Sequence, residues 1–427
     1  MRIEQTVNKI EKSASMNNND FTSAALEIAE KKLTKSVPQG SILTAPRLGT
    51  GGDYVNLFLW DTAFCVHWAK YYTDRFPAGE SLDNFYRVQR VDGFISRETM
   101  PDGISRWNPV HPISFAPPLL AWAEWGLYQE TRDLERLKRV YPALLHQHLF
   151  NSTTYRREDG LFFSDMLGSG MDDLPRWDEK EELSSDGGIL FDNSITQEPQ
   201  ELADVTLAWL NTYPPHALSW NRQLGWCDTS CQMAFSALTL SRIADEIGNS
   251  VEAESLRKQH QEIAAAINEL CWDEEKHFYF DRNGDHLLSR RHIGAFWALI
   301  AEVATPERAG YMAEALRDPE LFNCPCGVPG IAVNDKEFMC KGAYWRGPVW
   351  APVNYMVLCG LLCYGEKELA SEIARKFYSA AEKIWRETGT IWENYDPLYP
   401  VKRQGHSQPD FCGWSALIPL TFPREFL

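Results

Sequence analysis

The chain has 427 residues, 44% of them apolar and 12% aromatic, so it has material for a large buried core. A formal net charge of −17 leaves no basic field to recruit phosphates, which excludes a nucleic acid or an anionic membrane surface as partner. The 10 cysteines are too few for a disulfide framework at this length, and neither Cys227 with Cys231 nor Cys324 with Cys326 has the companions of a zinc site, so they read as thiols in a reducing compartment.

Residues 1–20 are polar, with no apolar stretch or small-residue cleavage site, and read as a frayed lead rather than a secretion signal. No run of about 18 apolar residues occurs, so a cytoplasmic protein without a membrane span is expected. Helical spacing predicts a helix over 21–36, through Ala24, Ala25, Ile28, Ala29 and Leu33. Three glycines within 49–53 make a loop that delivers Leu57-Phe58-Leu59-Trp60-Asp61, and a helix rich in Trp and Tyr runs on to about 74. Pro77-Ala78-Gly79 breaks it; 80–89 predicts another helix and Asp92-Gly93 a turn. Residues 117–130 and 134–155 read as a helical hairpin hinged at 131–133. The stretch 178–225 is irregular and acidic, and with its flanks, as 150–227, it is expected to cap the active face. Helical patterning resumes over 229–246, 251–270, 291–304, 306–317, 344–364 and 366–388, with brief strand-like pieces such as Phe278-Tyr279-Phe280.

Strand–helix alternation is absent, which argues against a parallel α/β sheet, and no period of 20–50 residues marks a solenoid. The economical reading is an all-α fold: one closed barrel of helical hairpins over 21–427, carrying long functional loops.

The loop that organises the chain is Gly168-Ser169-Gly170-Met171-Asp172-Asp173-Leu174-Pro175-Arg176-Trp177. No hydrophobic period runs through it, and two acids, an arginine and an aromatic follow its glycines. A second acidic loop, Thr390-Ile391-Trp392-Glu393-Asn394-Tyr395-Asp396-Pro397, lies far downstream. Two carboxylates on separate loops, each near a tryptophan, suit a sugar held between a general acid and a general base. Asp172 beside Met171 and Trp177 is placed for the acid, and Glu393 for activating water from the opposite face. Trp60 and Asp61 read as a stacking ring and an acceptor of sugar hydroxyls. Within Tyr344-Trp345-Arg346-Gly347-Pro348-Val349-Trp350, Arg346 is placed to keep one carboxylate ionised.

These motifs, with Gly413-Trp414-Ser415-Ala416, occur in the order seen in glycoside hydrolase family 63, and the chain resembles its short members, the mannosylglycerate and glucosylglycerate hydrolases. It is also similar to the family 37 trehalases of the same clan. The likeness runs from about 53 to 420. It implies an (α/α)6 barrel with long active-site loops, inversion at the anomeric carbon and no cofactor or metal. It implies Asp172 as acid and Glu393 as base, and Trp60, Asp61 and Arg346 around the cleaved sugar; Phe58, Gly170, Arg176, Trp345, Trp350, Trp392, Tyr395 and Trp414 complete the expected substrate-binding set. Where trehalases carry a glycine-rich lid, this chain has 398–404, in which Lys402 and Arg403 are placed to meet a charged aglycone.

The expected function is hydrolysis of a small α-glucoside or α-mannoside, the partner being that carbohydrate; a homo-oligomer is compatible with the sequence. The rivals are a trehalase, a sugar epimerase or isomerase using histidines, and a sugar-binding protein without turnover.

Overall fold

The computed structural model describes residues 20–106, 115–165, 168–177, 224–339, 344–400 and 407–427. The helices are α1 (20–31), α2 (Leu59–Ala69), α3 (Ala78–Val88), α4 (Leu120–Thr131), α5 (Leu134–Thr154), α6 (Cys227–Glu246), α7 (Ser250–Leu270), α8 (Trp297–Ile300), α9 (Pro306–Arg317), α10 (Ala351–Cys363), α11 (Lys367–Thr388), α12 (Leu417–Leu420) and α13 (Phe422–Glu425). Six of them form a closed inner ring. Each packs on the next in the order α2, α4, α6, α8, α10 and α12, and α12 returns to α2.

Burial separates the inner helices from the outer ones. All eleven residues of α2 are buried, as are most of α10, because neighbours surround them on every side. The outer α7 buries Ala253, Leu256, Ile263 and Ile267, one stripe at helical spacing, and leaves the rest to solvent. Helices α3, α5, α9 and α11 are one-sided in the same way. The first helix joins this outer layer: the Phe21 ring stacks on Trp385 and meets Tyr378 edge-on, both on α11. The expected all-α barrel is therefore observed as an inner and an outer layer of helices.

The turns follow their residue types. Arg132 closes α4 at φ 57° and Asp133 caps α5 by accepting from the Arg136 N–H, so the hinge expected at 131–133 is where the chain reverses. Thr305 caps α9 ahead of Pro306, and Gly389 ends α11 at φ 75°.

Three expected helices are shorter than their patterns. Over 291–304 the chain first runs extended, His292 bridging Ile331, and helix survives only as a 3-10 turn, Ile293–Phe296, and α8. Over 344–350 there is no helix among the described residues: Gly347 sits at φ 143°, and Val349 bridges both Pro329 and Tyr395. The first helix stops at 31 rather than 36. Phe278–Tyr279 is a strand, paired antiparallel with Trp272–Asp273. The expected cap falls largely on 178–223, outside the described residues, and so do Lys402 and Arg403. No helix among the described residues is long and apolar enough to cross a membrane.

Candidate active site

The first acidic loop is pinned before it presents its acids. The Asp165 carboxylate accepts from the Gly168 N–H at 2.9 Å and from the Arg97 guanidinium at 3.1 Å. A side chain at Gly168 would meet that carboxylate at 2.6 Å, which explains the glycine. Gly170, at φ 76°, lies flat against the Trp60 indole, where a Cβ would sit 2.7 Å from the ring. Met171 and Leu174 are fully buried and joined by a Leu174 N–H to Met171 carbonyl bond. Asp172 and Asp173 therefore stand together at the tip, both partly exposed.

The two neighbours have different surroundings. Asp173 accepts from the Trp345 N–H at 2.5 Å and pairs with Arg346 at 3.6 Å, so it ties this loop to the 344–350 segment. Asp172 keeps some exposed surface but is closely enclosed by protein. Burial, then the charge of Asp173, push its carboxyl up to about 8, with Glu393 and Asp165 adding to the rise and Arg97 opposing it.

Glu393 is buried on the second loop and anchored from several sides. The Tyr344 hydroxyl donates to its Oε1 at 2.8 Å and the Gln408 N–H to its Oε2 at 3.1 Å. Its backbone N–H bonds the Gln408 carbonyl, and its carbonyl accepts from the Trp414 indole at 3.2 Å. Asp61, in the first turn of α2, is the third acid. Burial holds its carboxyl well above the usual range, its own backbone N–H opposes that, and the charges of Glu393 and Asp172 add to it. Burial raises the Tyr54 phenol, and Glu393, Asp172 and Asp61 all act on it in the same direction. One charged locus thus gathers Asp61, Asp172 and Glu393 from three separate parts of the chain, with Tyr54 at its exposed rim.

The other expected site residues divide. Phe58 is half-buried against Tyr54, and Arg346 stays partly exposed between Asp173 and Glu337. Trp60 is 6% exposed, packed on Phe64 and Trp297 behind Gly170, and its indole N–H is buried without a partner. Trp345 and Trp350 stack face to face at 4.1 Å, both covered, and Trp414 is spent in positioning Glu393. The Trp392 indole donates to Thr388, and Tyr395 packs its ring on Phe377.

Three of these assignments need correction. Arg176 is 2% exposed, lies over the Trp226 ring and bridges the buried carboxylates of Asp228 and Asp281, so its fork has no reach toward a substrate. Trp350 and Tyr395 are core residues whose rings are enclosed on all sides. Reading the sequence also missed Tyr54, Arg97 and the hydroxyl of Tyr344. Only Tyr54 carried a signal, an aromatic directly after the glycine loop.

The chemistry available here is that of paired carboxylates. Among the described residues no group of His, Cys, Asp and Glu is arranged to hold a metal. Burial and Lys70 hold the His67 imidazole well below its usual range, and burial lowers that of His148 to about 4, so both are neutral structural residues.

The sequence profile of the mannosylglycerate hydrolase MGH1-like glycoside hydrolase domain matches residues 54–408. The chain belongs to that family. A mannosylglycerate hydrolase from Rubrobacter radiotolerans is 30% identical over 425 residues, covering 87% of this chain and 91% of that one. The fold superimposes on the GH63 mannosylglycerate hydrolase of Thermus thermophilus in complex with glucose, with a TM-score of 0.67 at 22% identity, covering 93% of this chain and 98% of that one. Some curated relatives are longer. The chain spans 61% of a Borreliella burgdorferi protein and 35% of a probable mannosyl-oligosaccharide glucosidase from Schizosaccharomyces pombe, to which it is 22% and 24% identical. The expected resemblance to family 63 thus holds.

Proposed function

We propose that this glycoside hydrolase is an inverting α-glycosidase of a small α-glucoside or α-mannoside, of the glucosylglycerate or mannosylglycerate kind, with Asp172 as general acid and Glu393 as general base. The observation that carries this reading is the contrast between the two carboxyls. Asp172, at about 8, holds a proton at neutral pH, while Glu393 accepts the Tyr344 hydroxyl at one oxygen and the Gln408 N–H at the other, donors suited to its ionised form. Asp172 gives its proton to the glycosidic oxygen as the bond to the anomeric carbon breaks. A water, losing its proton to Glu393, attacks that carbon from the other face, and the α-linkage leaves as a β-configured sugar.

Asp173 is the weaker candidate for the acid because Trp345 and Arg346 already engage it. The names of the relatives support both mannose and glucose as glycone, so the substrate is read from a panel: mannosylglycerate, glucosylglycerate, trehalose, kojibiose, nigerose and sucrose, followed by proton NMR. Release of a β-anomer, lost in Asp172→Asn and Glu393→Gln, is the expected result. An α-anomer would end the inverting mechanism. The described cysteines are all free thiols, which supports a reducing, cytoplasmic setting.

A further inference from the structure

The 3-10 turn Ile293–Phe296 stands where the sequence pattern leads to a longer helix, and its second residue faces the first acidic loop. Gly294 is buried, and its φ lies outside the left-handed region, so its backbone does not itself call for glycine. Space does. A Cβ there would sit 2.9 Å from Asp228 Oδ2, 2.9 Å from His292 Nδ1 and 3.0 Å from the Met171 methyl.

Two of these three neighbours are locked. The Asp228 carboxylate accepts both arms of the Arg176 guanidinium and, at 2.8 Å, the Thr229 N–H. His292 is fully covered, bridges Ile331 through its backbone and reaches the Asp281 carboxylate through Nε2 at 3.1 Å. The third is the end of an unbranched, flexible side chain, and its owner directly precedes Asp172. The Met171 backbone is tied on both sides: its N–H donates to Ser169 Oγ at 3.2 Å, and its carbonyl accepts the Leu174 N–H at 3.1 Å. A push on the methyl therefore passes along the side chain to the tip of the loop.

The same segment supports the loop a second time. Trp297, the first residue of α8, packs on the Trp60 ring at 6.1 Å, and Trp60 lies against Gly170. Gly170 and Met171, the two residues before Asp172, thus stand on 294–297, one through an indole and one directly. We propose that Gly294 is a positioning residue for Asp172: its missing side chain sets how deep Met171 seats, and so where the Asp172 carboxyl stands. Its bearing on turnover rests on the assignment of Asp172 as general acid. An acid misplaced by about 1 Å can cost about 100-fold in rate. Burial is the first cause of the raised Asp172 carboxyl, with Asp173, Glu393 and Asp165 acting in the same sense and Arg97 against them, so lifting it toward solvent also lowers the pH at which it titrates.

The test compares Gly294→Ala, Met171→Leu and the double variant of the full chain. Leucine keeps about the volume of methionine and stops short of the turn. Each variant is read for kcat and KM on the best substrate of the panel, and by carbon-13 NMR titration of the aspartate carboxyls, with the Asp172 signal assigned by its absence in Asp172→Asn. Gly294→Ala is expected to lower kcat about 10–100-fold with little change in KM, and to move the Asp172 midpoint from about 8 to about 7. Adding Met171→Leu should restore both in part, a coupling that a purely structural glycine would not show. An unmoved midpoint in Gly294→Ala would overturn the proposal. So would losses that Met171→Leu fails to relieve, or a Gly294→Ala chain that folds in neither background, because the strain would then fall on Asp228 and His292. A midpoint that moves while kcat holds would support the proposal and end the assignment of Asp172 as the acid.

Discussion

At the scale of single residues, the site depends on two adjacent aspartates with different neighbours. Replacing Asp172 by Asn is expected to lower kcat by about 10²–10⁴-fold with little change in KM, measured on the best substrate of the panel. Because Asp172 must be protonated to act, kcat should fall as pH rises through about 8. Asp173→Asn removes the negative charge that helps raise Asp172, so this alkaline limb should move to lower pH; an unmoved limb would leave Asp173 a purely structural tie. The sign also reaches stability. A carboxyl whose folded pKa lies above its unfolded value costs stability as pH rises from about 4 toward 8. Asp172→Asn should therefore raise Tm at pH 7.5 by about a few degrees and change it little at pH 4. Tyr344→Phe deletes one donor to Glu393 and should reduce kcat about tenfold while leaving Tm near that of the parent.

At the scale of elements, what mattered was how each loop is anchored, and this is where reading the sequence reached its limit. The acids were legible because glycines, tryptophans and an arginine cluster around them without helical periodicity. The role of Arg176 was not. The sequence places it four residues from Asp172, yet its partners, Asp228 and Asp281, come from the start of α6 and the strand region after α7. Burial alone would raise the Asp281 carboxyl, but Arg176 and His292 outweigh it and hold it low, so the cluster acts as the clamp on the loop's far end. Arg176→Ala leaves two buried carboxylates without their cation and should cost about 3–5 kcal/mol in urea unfolding. The helix boundaries missed at 291 and 344 have the same origin. Bridges such as His292 to Ile331 and Val349 to Tyr395 are long-range, and local periodicity carries no trace of them.

Across the whole molecule, the closed barrel was legible from the amphipathic segments and their short hinges, and the brevity of two members of its inner ring was not, since α8 and α12 are single turns. Phe21 measures how far the first helix belongs to the ring. Phe21→Ala empties its place against Tyr378 and Trp385 and should cost about 3–5 kcal/mol, seen as a clear fall in Tm. Closure also has a temporal side. The Thr421 hydroxyl bonds the His67 carbonyl across 354 positions, and α12 fills the gap between α2 and α10. During synthesis α2 therefore emerges with every side destined for burial and waits for nearly the whole chain before its last neighbour exists. Nascent chains halted before residue 417 have an open barrel and bare inner helices, which makes them substrates for chaperones and proteases rather than slow enzymes.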